Sequence, residues 1–107
     1  MPSPLGDRVR ELRRKKGLTL EALAERVGSS KSYMWEIENK DVARPSAEKL
    51  HQIAVALGTT TDYLITAHDV TEADAQDKAF FRHYLKMGDK GKEKLREMLK
   101  ILDDKDR

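Results

Sequence analysis

Residues 19–39 read Thr-Leu-Glu-Ala-Leu-Ala-Glu-Arg-Val-Gly-Ser-Ser-Lys-Ser-Tyr-Met-Trp-Glu-Ile-Glu-Asn. Leu20, Leu23, Ala24 and Val27 fall at helical spacing and line one face. Thr19 precedes them as an N-cap, with Glu21 in the positive first turn. Gly28 follows Val27, where a helix end favours a residue that tolerates positive φ. Ser30 is placed to cap a second helix that buries Met34 and Ile37 and exposes Lys31, Ser32 and Tyr33 in its first turn. The stretch therefore predicts two short helices joined by a tight turn. A helix whose N-terminus presents short polar and cationic side chains suits the major groove of DNA.

The flanks extend the pattern. Upstream, Val9 and Leu12 give an apolar stripe to a helix from Leu5 or Gly6 to Lys16, which Gly17 ends. Arg13 to Lys16 place cations in its last turn, where the helix dipole favours them; phosphate contact is the alternative reading of the same run. Downstream, the loop of residues 40–45 leads to Ser46, an N-cap with Glu48 in the first turn. Leu50, Ile53, Ala54 and Leu57 then continue at core spacing to Gly58. Asp62 to Ile65 form a short fifth helix. Residues 66–76 are polar and acidic and read as a linker or loosely docked segment. A helix is expected over 77–87, with an aromatic face of Phe80, Phe81 and Tyr84. After a break at 88–91, a second is expected over 92–102, carrying Leu95, Met98, Leu99 and Leu102.

The residues that carry a family resemblance are Leu23-Ala24, the turn Gly28-Ser29-Ser30, Tyr33 and Ile37-Glu38-Asn39. Arg13 to Thr19 precede them and Arg44-Pro45-Ser46 follow. Over roughly residues 5–65 the chain resembles the Cro and phage-repressor family, also called xenobiotic-response-element regulators. The resemblance implies a five-helix lambda-repressor-like DNA-binding domain over 1–65; with the helices read from the residues over 77–107 as a short C-terminal appendage, the expected fold is all-α.

It also implies roles by position. Lys31, Ser32 and Glu36 would face base edges. Glu36, a carboxylate near phosphates, reads more simply as a solvated or salt-bridged residue. Thr19, Leu20, Ser30 and Tyr33 would meet phosphate, with Tyr33 alternatively packing. Asn39, Lys40 and Arg44 would contact the backbone across the groove. Lys40 stands where the family often has glycine. Arg13 and Glu38 match a pair that ties the first helix to the third, a structural role. Trp35, beside Met34 and Ile37, is expected to pack against the 40–45 loop and the fourth helix.

Composition bounds the alternatives. With 107 residues, one small domain and an appendage are expected; no cysteine is present, which excludes disulfides and thiolate metal sites. A cytoplasmic location is expected, because neither a signal-peptide core nor an apolar run near the ~20 residues of a membrane span occurs. Net charge is only +2, and the excess lies in residues 1–65. A weakly charged protein binds DNA if its cations share one face. His51, His68 and His83 are scattered without metal-ligand spacing, and no glycine-rich phosphate loop follows a strand. No cofactor and no enzymatic activity are therefore expected.

The leading expectation is a sequence-specific transcriptional regulator of double-stranded DNA, a homodimeric repressor on a palindromic operator. Phe80, Phe81, Tyr84, Leu95, Met98, Leu99 and Leu102 would form the dimer interface. Two short amphipathic helices do not bury both faces alone; folding back on helices 1 and 5 is the other way to cover them. A rival reading is an antitoxin or adaptor whose C-terminal helices bind a partner protein while the DNA-binding domain serves autoregulation.

Overall fold

The computed structural model describes residues 4–41, 45–65 and 70–106, and among these all regular structure is helical. The helices are α1 (Pro4–Lys15), α2 (Leu20–Arg26), α3 (Lys31–Asn39), α4 (Ala47–Leu57), α5 (Thr61–Ile65), α6 (Glu72–Lys86) and α7 (Asp89–Asp106). Hydroxyl caps set five of the starts. Thr19 Oγ1 accepts from the Ala22 amide at 3.0 Å, Ser30 Oγ from Tyr33 and Ser46 Oγ from Lys49 at 3.1 Å each. Thr60 and Thr71 do the same for Tyr63 and Asp74. Each cap satisfies a backbone donor that the first helical turn leaves without a partner.

The core joins the first five helices. Val9, Leu12, Leu23, Ala24, Val27, Met34, Ile37, Ile53, Ala54, Leu57 and Leu64 are buried together. α1 packs on α3, α4 and α5, and α2 packs on α3 and α4. Leu20, Tyr33 and Leu50 seal the edge of this cluster as half-buried residues. At Gly6 the two backbones of α1 and α3 meet so closely that a Cβ would lie 2.6 Å from the Glu38 carbonyl oxygen.

The C-terminal third differs from the expectation in three ways. First, α6 begins at Glu72, five residues ahead of the expected start, so residues 72–76 are helix and not linker. Thr71 caps this start, and Ala75, fully buried, joins the core. Second, α6 is docked. Lys15 Nζ lies 3.0 and 2.9 Å from the two Glu72 carboxylate oxygens, and that bond holds the lysine ammonium above its usual range. Arg82 donates to the Thr59 carbonyl at 3.0 Å. Third, the break is confined to Met87-Gly88, and α7 runs through Gly91. α7 has no buried residue over 89–104 and meets α6 where Lys92 and Arg96 lie over the Tyr84 ring.

Residues 42–44 of the loop that Trp35 is expected to meet lie outside the described residues. Trp35 itself is 47% exposed. Met34, Ile37 and Glu38 take the inward phase of α3, and Trp35 stands outside the buried cluster.

Candidate nucleic-acid interface

The turn between α2 and α3 is built on Gly28, whose φ of +65° lies in the left-handed region that an L side chain resists. The Ser29 amide donates back to the Ala24 carbonyl at 2.8 Å, closing the end of α2. A second lock comes from α4: Lys49 Nζ donates to the Val27 carbonyl at 2.6 Å. This cation answers a carbonyl at the negative end of α2.

The inner face of α3 fixes its position. Glu38 is 1% exposed, and its carboxylate accepts from Arg13 twice, Nε at 2.6 Å and Nη2 at 3.0 Å. Arg13 also donates to the Leu18 carbonyl at 2.8 Å, at the loop entering α2. Arg10 adds a second guanidinium. It donates to the Glu38 carbonyl at 3.1 Å and to the Asn39 side-chain oxygen, and its Nε stands 3.5 Å from the Glu38 carboxylate. One buried carboxylate thus joins α1, α3 and the loop before α2 through bidentate, charge-assisted bonds.

The outer face carries the other candidates. Lys31, Ser32 and Glu36 are exposed on successive turns of α3. The structure brings Lys31 to Glu21 of α2, Nζ to Oε1 2.9 Å, and Lys40 to Glu36 at 3.8 Å. Glu36 therefore carries an exposed ion pair to the residue four positions on. Thr19 and Ser30 spend their hydroxyls on capping. Leu20 and Tyr33 are half-buried against the core. Asn39 donates to the Trp35 carbonyl at 2.9 Å and accepts from Arg10, so its amide is held in one orientation. Arg44 lies outside the described residues.

Phe80 (59% exposed), Phe81, Met98, Leu99 and Leu102 are exposed, while Tyr84 and Leu95 are half-buried. Phe81 and Tyr84 stack with centroids 6.3 Å apart. These apolar residues lie on α6 and α7.

Sequence reasoning missed Arg10, Lys49, Glu21 as a partner of Lys31, and Gly6. Each acts on a residue from another helix, so no local pattern marks it. The one available signal was Gly6, a glycine inside a helical pattern. Among the described residues no cluster of histidine and carboxylate side chains is arranged to hold a metal, and no helix is long and apolar enough to cross a membrane.

Comparison with known proteins bears on this surface. Residues 4–65 match the family model described as a helix-turn-helix domain. The chain is 35% identical over 72 residues to the HTH-type transcriptional regulator SinR of Bacillus licheniformis, a match covering 67% of this chain and 65% of that protein. It is similar to a crystal structure of the biofilm master regulator SinR in complex with DNA. There the TM-score is 0.53 at 33% identity, covering 56% of this chain and 95% of that one. A SinR–SinI complex matches in fold over 94% of this chain, α6 and α7 included, with a TM-score of 0.56 at 23% identity.

Proposed function

The chain belongs to the helix-turn-helix transcriptional regulators of the Cro and phage-repressor type, and from that premise we propose that it is a homodimeric repressor that inserts α3 into the major groove of a palindromic operator. The observation that carries this reading is the division of α3 into two faces. Met34, Ile37 and the doubly held Glu38 lock one face to α1. Lys31, Ser32 and Glu36 stand on the other, free of the core. A rigidly mounted helix with exposed polar side chains is what base readout requires, because discrimination depends on fixed donor and acceptor positions. The DNA complex known for SinR supports this use of the surface.

In this reading Lys31 donates to guanine O6 and N7, Ser32 bonds a base or phosphate, and Tyr33, Lys40 and Arg44 touch the backbone. The amides at the starts of α2 and α3, beside Thr19, Leu20 and Ser30, meet phosphates. Asn39 keeps one amide hydrogen for the backbone. Repression follows from occupying a promoter, and a dimer reads two half-sites about one helical turn apart. Location in the cytoplasm, with the chromosome, goes with this role.

Selection of bound sequences from a random duplex pool tests the reading. A palindrome of two half-sites is expected, and Lys31→Ala should relax the preference at one base pair per half-site, at about 1–3 kcal/mol. No enrichment over non-specific binding at a stated salt concentration would overturn it.

The Glu21–Lys31 pair gives a second expectation. Lys31 leaves this carboxylate to reach DNA, and the carboxylate itself repels phosphate. Glu21→Gln should therefore tighten binding to an unrelated duplex by roughly two- to fivefold, the size of an exposed ion pair. Fluorescence anisotropy at fixed salt measures it; unchanged or weaker binding would show that the pair has no part in recognition.

A further inference from the structure

Trp35 is the only tryptophan of the chain. Among the described residues it is also the one large apolar side chain of α2 or α3 that is exposed. At 3.6 residues per turn, position 35 falls about 40° from Lys31 and from Asn39 around the α3 axis, and about 60° from Ser32. Met34, Ile37 and Glu38 hold the opposite, buried arc. Each of these three neighbours brings hydrogen-bond donors: an ammonium, a hydroxyl and an amide. Trp35 alone brings apolar surface. Its mount is rigid, because Asn39 Nδ2 donates to the Trp35 carbonyl at 2.9 Å and Arg10 of α1 holds the same Asn39 side chain by its oxygen.

We propose that Trp35 reads a thymine: its ring packs against the C5-methyl group of a T·A pair in the major groove, within about two base pairs of the pair that Lys31 contacts. The proposal rests on α3 being the recognition helix, and adds to that reading a residue and the base it selects. The thymine methyl is the one apolar group in the major-groove code. A ring set among donors therefore has a partner there that none of its neighbours recognises. The interval follows from helix geometry, since residues 31 and 35 stand about 6 Å apart along the axis and successive base pairs about 3.4 Å.

A protein partner fits this patch less well. The core of a protein interface is a contiguous area depleted of charge. The other large apolar residues that are exposed lie on α4 to α7, while Lys31, Ser32 and Glu36 stand exposed beside Trp35 on α3.

Removing single methyl groups from the DNA tests the contact. In the operator selected from a random pool, each thymine of the half-site is replaced in turn, in both half-sites, by deoxyuridine, which lacks only the methyl. Full-length parent, Trp35→Ala and Trp35→Phe chains are titrated with each duplex by fluorescence anisotropy at one salt concentration. One replacement should weaken the parent by about fourfold per half-site, the worth of one buried methyl group. The same replacement should leave Trp35→Ala unaffected and cost Trp35→Phe an intermediate factor. Replacements at other thymines should act alike on all three proteins. A parent indifferent to every methyl, a Trp35→Ala chain that loses the same factor as the parent, or an operator without thymine in that interval would overturn the thymine contact alone. So would a Trp35→Ala chain that melts far below the parent and weakens by one factor on every duplex, since the ring would then serve packing. No enrichment of any operator would overturn the recognition-helix reading and the thymine contact together.

Discussion

Glu38→Ala is expected to be among the most destabilising single substitutions in this chain, at about 3–5 kcal/mol, because it leaves buried positive charge without its counter-ion. Arg13 has only 11% of its side chain exposed, and Arg10 stands 3.5 Å from the same carboxylate. Without Glu38, two guanidinium groups of α1 stand side by side at the α1–α3 contact, answered only by the carbonyls of Leu18 and residue 38 and by Asn39. For a domain of this size such a loss lowers Tm by roughly 12–40 °C. Lys31→Ala is the matched control, since it removes an exposed cation whose partner is also exposed, and its Tm should stay within about 2 °C of the parent. Equal melting temperatures for the two variants would show that the carboxylate does not hold the helices together. Glu38→Gln should fall between them. The amide keeps the shape and part of the hydrogen bonding but neutralises neither arginine.

The special place of Glu38 was visible from the chain in one respect only. It lies four residues after Met34 and beside Ile37, so a carboxylate falls in an apolar phase of α3. Its pairing with Arg13 came from family resemblance, because the two residues are 25 positions apart and no periodicity links them. The same divide runs through the rest of the molecule. Thr19, Ser30 and Ser46 were readable as caps because each precedes a clear apolar repeat. Thr71 is chemically the same cap, and Asp74 follows at the capping-box spacing. It was passed over because the helix it starts shows its core only two alanines, Ala75 and Ala79. Alanine carries little hydrophobic signal, and the strong signal of that helix, Phe80 and Phe81, faces solvent. Hydropathy therefore moved the expected start of α6 toward the aromatic residues and assigned residues 72–76 to a linker. On the recognition face, residue types were legible one by one. Their partners were not: Arg10 reaches Asn39 from α1, and Glu21 reaches Lys31 across the turn.

Gly6→Ala should destabilise the domain by about 1–3 kcal/mol, although alanine is the better helix former by about 1 kcal/mol. The sign is decided by what the new methyl group meets. A Cβ at residue 6 would lie 2.6 Å from the Glu38 carbonyl oxygen and 2.7 Å from that of Ile37. Both are backbone atoms near the end of α3, so neither yields by changing a rotamer. Relief requires α1 to move away from α3. That movement stretches the Arg10 and Arg13 contacts to Glu38, so the cost reaches the mount of the recognition helix as well as local packing. Operator affinity should consequently fall even at temperatures where the variant remains folded. Gly91→Ala supplies the contrast. Its Cβ would meet the Met87 Cε at 2.9 Å, the end of a flexible side chain, and it lies on α7. Its stability should change by under about 1 kcal/mol, in the stabilising direction expected when a helical glycine becomes alanine. Thermal melts of both variants, followed by titration of operator DNA at one salt concentration, separate the two cases. If Gly6→Ala melts at or above the parent temperature, α1 and α3 do not approach as closely as the fold requires. If it melts lower but binds operator at parental affinity, the α1–α3 contact stabilises the domain without setting the pose of α3.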